Sequence, residues 1–525
     1  MRRWWVGLTA GVLAGVLVGC GSTPTDTQRP KDQIVLGMSS APDTLNPVLG
    51  YAAEGASKIF DGLVAYDDKL QLVPALAESL PTISDDGRSI TYTLRPDVVF
   101  HDGSALSADD VVFTYRALLD PKTDSTLRAS FDAVAEVSAS DARTVVFRLK
   151  YPYVPFVKRT TLGIVPAKLL TGTDINTAAF NRKPVGTGPY KVESFSEEKL
   201  TLVANEAYWG KAPAIKRVTM AFIGDDSVRA ARLRSGELDG AVLPAKIADS
   251  LGDLPGYRRW DNSSADYRVI SVPMQHPVLG DPAVRRALDH AVDRQAMLTA
   301  LMNGQGKPAF GLVSPDAETW FDPELNRPAT PDTAAAEREL EAAGWVVDND
   351  GIRTRNGEPA SFTLMYPAGD SLRKDLATAV ASDARKIGLD VQLAGLDWSA
   401  ITPRLGKDAI IYAGGAPYDP DFDLYDALHS SRVGKGWANP GRYANPAVDD
   451  LLEQARRSGD DRERSNLYRQ IQQQTATDVP NIGLVFLNHT YLVRDRWTGQ
   501  APRTEPHDHG FNGIWWNLED WTPRP

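Results

Sequence analysis

The chain contains one cysteine, Cys20, in 525 residues. A single cysteine cannot form an intramolecular disulfide, so the fold must be held together by its hydrophobic cores alone. Cys20 ends an uncharged apolar stretch, Trp4 to Val18 and then Gly19, which Arg2 and Arg3 precede. The stretch is too short to span a bilayer comfortably, and small residues before a cysteine are typical of a processing site. Residues 1–19 are therefore predicted to be a secretion signal, with an uncleaved anchor or an inert buried cysteine as the alternative.

The string Leu17-Val18-Gly19-Cys20 resembles the lipobox of bacterial lipoproteins. The resemblance implies that Cys20 becomes a lipid-bearing N-terminus, palmitate included, and fixes the protein to the outer face of the cell membrane. The compartment is then a periplasm or an outer cell surface. Residues 20–32, rich in Thr, Pro, Ser and Gln, are predicted to be a flexible tether.

The roughly 490 residues that remain predict two or three lobes, because single cores stop growing near about 250 to 300 residues. No later segment approaches the roughly 20 apolar residues of a membrane span. The formal net charge of -11 argues against a nucleic-acid surface, which would need an excess of Lys and Arg. It favours solubility and, more weakly, a cationic ligand.

Strand-like and helix-like segments alternate without a short repeat, which predicts mixed α/β lobes. Ile34–Gly37, Ser89–Leu94 and Thr144–Leu149 are predicted to be strands. Three helices are expected from their start signals and apolar stripes. They begin after a capping box of Ser107 and Asp110, after Asp281-Pro282, and after Asn445-Pro446.

Motifs of catalysis are missing from the sequence: it has no His-Glu-x-x-His, no phosphate-binding Gly-x4-Gly-Lys loop and no Gly-x-Ser-x-Gly elbow. We therefore expect no enzyme and no cofactor. Gly186-Thr187-Gly188 is interpreted as a tight turn because Pro189 follows it. His507 and His509 are interpreted as solvated surface rather than a metal site. Asp419, Asp421 and Asp423 resemble the start of a calcium loop, but Leu424 and Ser430 stand where glycine and glutamate are needed.

Several segments together resemble the peptide/nickel-type (family 5) solute-binding proteins of ABC importers, over nearly the whole mature chain. In order they are Asp43-Thr44-Leu45-Asn46-Pro47, Ile59-Phe60-Asp61-Gly62-Leu63-Val64, Val73-Pro74-Ala75-Leu76-Ala77, Phe100-His101-Asp102-Gly103, Pro184-Val185-Gly186-Thr187-Gly188-Pro189-Tyr190, Asn205-Glu206-Ala207-Tyr208-Trp209, Gly236-Glu237-Leu238-Asp239, and Val284-Arg285-Arg286-Ala287-Leu288 with Asp293-Arg294. Any one segment is a weak signal, but their joint order would rarely arise by chance.

The resemblance implies a two-lobed fold of the periplasmic-binding-protein type (type II, cluster C), with a subdomain inserted in the first lobe. Hinge strands would let the lobes close over a ligand. Approximate alignment predicts these boundaries: first lobe 33–50, 184–266 and 488–525, inserted subdomain 51–183, second lobe 267–487.

In peptide-binding relatives an aspartate of a second-lobe loop pairs with the ligand's α-ammonium. Here the loop is Ala413 to Pro420, and alignment on Asp419-Pro420 places Ala416 where that aspartate would be. The usual ammonium anchor is therefore absent. The string Gly415 to Pro420 instead resembles the nickel-binding branch, where a histidine and arginines help to hold a metal chelate. The loop has no histidine, and the nearest, His429, is predicted to be structural or exposed.

The resemblance implies a set of ligand contacts, each of which has a purely structural alternative. They are Ser39, Ser40, Arg128, Arg159, Trp398, Tyr412, Gly414, Gly415, Pro417, Tyr418 and Asp419. The two glycines are favoured because a backbone without side chains lets a ligand approach closely.

The implied function is capture of a small solute outside the membrane and its delivery to the transmembrane subunits of an ABC permease. Oligopeptides are the leading substrate class, and a monomer is expected. A metal chelate is the nearest rival, and oligosaccharides or other cationic metabolites also remain open. Outside binding proteins, the alternatives are a regulatory or envelope-assembly lipoprotein on the same scaffold, or a hydrolase whose nucleophile we cannot locate.

Overall fold

The structure is a computed structural model that describes residues 29–507 and 511–525. The predicted signal, the lipidation site Cys20 and His509 lie outside the described residues. The strands are β1 Gln33–Met38, β2 Val64–Tyr66, β3 Leu72–Pro74, β4 Thr82–Ile83, β5 Ser89–Thr93, β6 Val134–Ala139, β7 Thr144–Leu149, β8 Tyr190–Phe195, β9 Lys199–Ala204, β10 Arg217–Phe222, β11 Gly240–Leu243, β12 Tyr257–Ser271, β13 Lys307–Pro308, β14 Val346–Val347, β15 Arg353–Arg355, β16 Glu358–Pro359, β17 Ser361–Pro367, β18 Asp390–Leu396, β19 Ala409–Gly414, β20 Asn481–Arg494, β21 Trp497–Thr498 and β22 Thr522–Pro523.

The helices are interspersed with these strands, as the mixed α/β prediction requires. They are α1 Ala108–Leu119, α2 Phe156–Arg159, α3 Ala167–Leu170, α4 Asp226–Arg234, α5 Ala245–Ser250, α6 Pro282–Ala291, α7 Arg294–Met302, α8 Thr333–Ala342, α9 Ser371–Lys386, α10 Trp398–Ile401, α11 Asp421–Leu428, α12 Pro446–Arg457 and α13 Asp461–Asp478. None of the described helices is both long and apolar enough to cross a bilayer.

The elements predicted from sequence patterns are confirmed. β1, β5 and β7 cover the three predicted strands, although β5 ends one residue early. In α1 the Ser107 N–H donates to Asp110 Oδ2 at 2.9 Å, as the capping box requires. At the start of α6 the Asp281 side chain accepts from the N–H of Ala283 at 2.9 Å. Local side-chain chemistry therefore sets these helix starts.

One eleven-stranded sheet runs through the molecule in the order β18-β17-β19-β12-β20-β11-β1-β10-β9-β8, with β13 beside β20. The strands β12 and β20 are long and antiparallel, and they pair along most of their lengths, with register shifts between Ser263 and Tyr267 and between Arg268 and Val269. Strands of the predicted first lobe lie on the β20 side of this pair, together with the short β13, and the other large-sheet strands of the predicted second lobe lie on the β12 side. The pair β12/β20, called the hinge strands below, therefore joins the two halves.

The hydrophobic cores follow the same division. The largest core combines residues of the predicted first lobe, such as Leu36 and Trp515, with residues of the predicted insert, such as Phe147. Two further cores, around Leu288 and around Leu452, belong to the predicted second lobe. The predicted insert, residues 51–183 and called the insert below, contains a separate antiparallel sheet in the order β4-β5-β7-β6.

The start of the described chain is fixed to the first lobe. Arg29 pairs with the buried Asp239, and its Nη2 donates to the carbonyl of Glu237 at 3.0 Å. The carbonyl of Lys31 accepts from Trp497 Nε1 at 2.8 Å. Part of the predicted tether is thus held by side chains before β1 begins.

Candidate functional site

A cavity of about 1020 Å³ lies between the two halves of the large sheet. Its walls come from the end of β1, from α4 and β11 on one side, from α9 and α10 on the other, and from the hinge strands at the back. No residue of the insert lines it. A concave site of this size between two lobes, with a mainly apolar lining and a few charged groups, is the usual form of a small-ligand site.

Two arginines from different elements stand together in this cavity. Arg268 comes from β12 and Arg373 from the first turn of α9, and their side chains are 10% and 9% exposed. Arg268 Nη1 donates to the Tyr267 carbonyl at 3.0 Å and pairs with Asp266. Arg373 Nη1 donates to Asp370 Oδ2 at 2.9 Å, and its guanidinium lies 5.6 Å from the centre of the Trp398 ring.

The remaining donors of this pair can serve a ligand. In the described part of the chain, neither Arg268 Nη2 nor Arg373 Nη2 donates a hydrogen bond to another residue. Burial, and then the nearby Arg268, lowers the pKa of Arg373 to about 10. Two partly desolvated guanidiniums side by side are a strong site for a carboxylate, which satisfies both charge and donors.

Beside the arginines, a row of interacting acid and histidine side chains lies across the hinge strands. His489 Nε2 lies 3.1 Å from Asp266 Oδ2, and His489 Nδ1 lies 2.9 Å from Glu505 Oε2. Burial alone would lower the pKa of His489, but Glu505 and Asp266 outweigh it and raise the pKa to about 10. Burial would likewise raise the pKa of Asp266, but Arg268 and His507 hold it well below its usual range. His489 is therefore a partly exposed imidazolium between two buried carboxylates.

His507 belongs to the same cavity wall, so the expectation of a solvated surface histidine is wrong. Its side chain is 28% exposed, and its Nδ1 lies 2.9 Å from Asp266 Oδ1. A carboxylate behind an imidazole fixes the orientation of the ring, an arrangement common behind metal-binding histidines. Among the described residues, however, no group of three or more acidic, histidine or cysteine side chains has the geometry to hold a metal ion.

Two helix starts face the cavity from opposite lobes, each with an acid–arginine pair. Asp226 pairs with Arg229 in α4, and Asp370, the N-cap of α9, pairs with Arg373. Burial raises the pKa of Asp226, and Asp370 adds to the increase from the other lobe. The cavity therefore offers both signs of charge to a ligand.

Of the residues proposed as ligand contacts, three line this cavity. They are Ser39 at the end of β1, Trp398 in α10 and Tyr412 in β19. Tyr412 donates to the carbonyl of Trp437 at 3.2 Å, and Trp398 packs edge-on against Trp437 with ring centres 5.0 Å apart. This aromatic group supports the wall beside Arg373.

The other proposed contacts lie elsewhere: Ser40, Arg128, Arg159, Gly414, Gly415, Pro417, Tyr418 and Asp419 are not in the cavity wall. Tyr418 stacks on Tyr66 of the insert, and Asp419 is buried between Lys158 and Arg464. The guanidinium of Arg159 lies over the ring of Phe422. These side chains are occupied by contacts between the insert and the second lobe.

The two loop glycines are needed for a reason that differs from the one expected. Gly415 has φ +123°, and a Cβ there would overlap the carbonyl oxygen of Ala265. A Cβ at Gly414 would crowd the Tyr267 ring and hydroxyl. The partner that approaches these glycines is therefore the protein's own hinge strand, not a ligand.

His429 is structural, as predicted. Its ring stacks on Tyr425 with centres 4.5 Å apart, and its Nδ1 accepts from the N–H of Ser431 at 3.1 Å. Gly186 and Gly188 lie against Ile59, whose carbonyl accepts from the Gly188 N–H at 2.9 Å. This segment therefore packs on the protein backbone.

The sequence interpretation missed Arg268, Arg373, His489 and His507. Two of them carry a local signal: Arg373 is a cation in the first turn of a helix, where the dipole disfavours it, and Arg268 interrupts an apolar strand. Nothing local marks His489, and the spacing of His507 and His509 is too weak a signal to indicate a cavity wall, because Asp266, which contacts both His489 and His507, lies more than two hundred residues away in the chain.

Comparison with known proteins agrees with this architecture. Residues 71–435 match the family model described as "Bacterial extracellular solute-binding proteins, family 5 Middle". Protein XP55 of Streptomyces lividans is 49% identical over 475 residues, which cover 90% of this chain and 87% of that protein.

Two solved structures share the fold over 94% of this chain. NikZ from Campylobacter jejuni, solved in complex with Ni(L-His), has a TM-score of 0.87 and 29% identity, and all of its chain is covered. The oligopeptide-binding protein AppA from Bacillus subtilis, solved with a nonapeptide, has a TM-score of 0.82 and 27% identity, with 99% of its chain covered. The relatives are solute-binding proteins rather than enzymes. The chain therefore belongs to family 5 of the bacterial extracellular solute-binding proteins, the peptide- and nickel-binding proteins of ABC importers.

Proposed function

We propose that this protein is the substrate-binding lipoprotein of an ABC importer and that it captures oligopeptides by their terminal carboxylate. It would be fixed to the membrane through lipid on Cys20, bind its ligand as a monomer by hinge closure, and deliver it to the permease. AppA of Bacillus subtilis, a relative of similar fold, was solved with a nonapeptide.

The observation that carries the proposal is the arginine pair in the cavity. Arg268 and Arg373 each keep an Nη2 that no described residue uses, on side chains that are about nine-tenths buried. A carboxylate that enters from water can replace its lost hydration with two charge-assisted donors. Asp226 and Asp370 supply acceptors for cationic or amide groups of the same ligand.

The ligand should be short. A cavity of about 1020 Å³ is at the upper end of ordinary small-ligand sites. The position of the usual ammonium anchor is Ala416, outside the cavity wall, so recognition would depend on the carboxylate end.

The first test is native mass spectrometry of the mature chain with Cys20→Ser, purified without denaturation. Co-purified peptide masses support the proposal. A transition-metal isotope pattern would indicate that the ligand is a metal chelate rather than a peptide. Failure to bind any peptide of a defined library would contradict the proposal that the protein transports peptides.

A variant tests the arginine pair directly by isothermal titration. Arg373→Gln should weaken binding of a free-acid peptide about tenfold or more and should leave binding of its C-terminal amide nearly unchanged. Arg385→Gln is the matched control, because Arg385 lies in the last turn of the same helix and is exposed. An equal loss of affinity for the free-acid peptide and for its amide would mean that Arg373 does not bind the terminal carboxylate.

A metal–amino-acid chelate is the second candidate, and His507 is the observation that favours it. Its ring is oriented by Asp266 on the cavity wall next to both arginines. One imidazole and the chelate's own donors can complete a metal's coordination. Titration with nickel and L-histidine together, compared with either alone, separates this candidate from peptide binding, and His507→Gln should abolish only chelate binding.

A further inference from the structure

The insert and the second lobe meet at a buried, charged interface that the ligand cavity does not include. On the insert side it consists of Tyr66, Tyr153, Lys158 and Arg159; on the second-lobe side it consists of Tyr418, Asp419, Asp421, Phe422, Arg456 and Arg464. We call this contact the insert interface. The side chains of Asp419 and Asp421 are 0% and 1% exposed.

Each buried aspartate has one partner in its own lobe and one in the insert. Asp419 Oδ1 accepts from Arg464 at 2.7 Å, and Asp419 Oδ2 accepts from Lys158 Nζ at 3.0 Å. Asp421 Oδ1 accepts from Arg456 Nε at 3.0 Å, and Asp421 Oδ2 accepts from the Tyr153 hydroxyl at 2.5 Å. If the insert moves away, each carboxylate keeps its own arginine.

This division of partners makes the contact suitable for repeated opening. A buried charge that loses its only partner is strongly destabilising, but neither aspartate would be left alone here. The contacts that would break include a tyrosine stack with ring centres 4.3 Å apart, an arginine over Phe422 and two hydrogen bonds to carboxylates. Three hydrogen bonds to backbone carbonyls would break with them: Lys158 Nζ to Tyr418 at 2.8 Å, Val154 N–H to Arg456 at 3.1 Å, and Arg432 Nη2 to Ala129 at 3.0 Å. Each is strong enough to bias an equilibrium between open and closed forms without locking it.

The interface is joined to the ligand cavity by one short loop. Ala413 lines the cavity, and Tyr418, five residues later, lies in the insert interface. Between them the Gly415 carbonyl accepts from the N–H of His507, a cavity residue, at 2.7 Å. A displacement of this loop at the insert interface would therefore also displace the cavity wall.

We propose that the insert interface holds the two lobes together before a ligand arrives and so sets ligand affinity from outside the cavity. The apparent dissociation constant equals the intrinsic constant divided by the fraction of molecules that are competent to bind, so a weaker interface weakens the binding of every ligand. The inference rests on hinge closure, which is part of the proposed function, but not on the identity of the ligand.

The test measures the distance between insert and second lobe without ligand. Spin labels at Asp85→Cys and Arg462→Cys, both exposed positions, report that distance in the chain with Cys20→Ser. Tyr153→Phe and Lys158→Met remove the donors of the insert and leave the arginine partners intact. We expect each to raise the ratio of open to closed molecules about tenfold, and we expect Lys158→Arg to restore the closed form.

Matched controls change the same residue types inside the insert. The Tyr92 hydroxyl bonds to Thr160 Oγ1 at 2.9 Å, and Lys168 pairs with Asp102 at 2.9 Å. Tyr92→Phe and Lys168→Met should leave the distance distribution unchanged. An unchanged distribution in the interface variants, or an equal change in the controls, overturns the proposal. Because no ligand is added, this result is independent of whether peptides or chelates are bound.

Discussion

At the scale of single residues, the most unusual group is His489, an imidazolium between the buried Asp266 and Glu505 on the hinge. Its pKa is raised to about 10, against about 6.5 for an ordinary histidine. A base whose pKa is higher in the folded state stabilises that state fully below its unfolded pKa. The contribution is lost as the pH rises from about 6.5 through about 10.

We expect His489→Gln to lower the free energy of unfolding by about 3 kcal/mol near pH 6, because it removes the cation that Glu505 and Asp266 share and leaves Glu505 without one among the described residues. The loss should shrink as the pH approaches 10, since the wild-type histidine is then losing its proton as well. Urea unfolding at a series of pH values measures both effects. A loss of unfolding free energy that stays constant between pH 6 and pH 10 would show that His489 does not stabilise the fold through its charge.

His101→Gln is the control for this experiment. Burial lowers the pKa of His101 to about 4, so its neutral form stabilises the fold above about pH 6.5 and that contribution disappears as the pH falls towards 4. In the structure His101 Nδ1 accepts from the Gly186 N–H at 3.2 Å. His101→Gln should therefore remove the pH dependence of stability between about 6.5 and 4 and leave the slope above pH 6.5 unchanged.

At the scale of elements, the start of α9 connects helix stability with the ligand site. Asp370 caps the helix by accepting from the N–H of Arg373 at 2.8 Å, and its other oxygen accepts from the Arg373 side chain at 2.9 Å. One carboxylate thus both begins the helix and orients a cavity arginine.

Asp370→Ala should cost about 1 kcal/mol of stability through the lost cap and should also weaken ligand binding several-fold. Asp332→Ala is the comparison, because Asp332 caps α8 by accepting from Ala335 N–H at 2.8 Å and does not line the cavity. Thermal unfolding and titration of both variants separate the two effects. Equal affinities in the two variants would mean that Asp370 acts on the helix alone.

Elements were more predictable than the site because their signals are local. The stripe of Val284, Leu288 and Ala291 and the cap at Asp281 specify α6 within eleven residues of sequence. Arg268 and Arg373 instead come together only after β12 and α9 have packed, more than a hundred residues apart in the chain. His507 could not be predicted as a site residue for the same reason, because its partner Asp266 lies on β12, far from it in the chain. The lobe boundaries, inferred by resemblance, stay a prediction.

At the scale of the whole molecule, the hinge strands pair regularly at one end and irregularly near their centre. Tyr257–Ser263 pairs in register with β20, whereas the pairing shifts between Ser263 and Tyr267 and again between Arg268 and Val269. Within the first shift, the Ala265 N–H donates to the Glu505 carbonyl at 2.8 Å rather than to β20. A break in a ladder is where a strand can bend most easily.

Hydrogen exchange with mass spectrometry should therefore locate the hinge at residues 264–266. Ligand binding is expected to slow exchange of these amides at least several-fold, because closure fixes the irregular segment. Amides of Tyr257–Ser263 should exchange equally slowly with and without ligand and serve as the internal reference. If ligand slowed the exchange of all β12 amides equally, the hinge would not lie at residues 264–266.

The ion pair between Arg29 and Asp239 bears on how the protein would work at a membrane. With Cys20 lipidated as proposed, only eight residues separate the lipid-bearing cysteine from a fixed point on the first lobe, a span of at most about 30 Å. A receptor held on so short a connection searches a thin layer next to the bilayer, where its effective concentration towards a permease reaches the order of millimolar. Even a weak docking contact would then suffice for delivery. A substitution that breaks the ion pair of Arg29 would lengthen the connection to the membrane and lower this effective concentration, without changing the affinity for ligand.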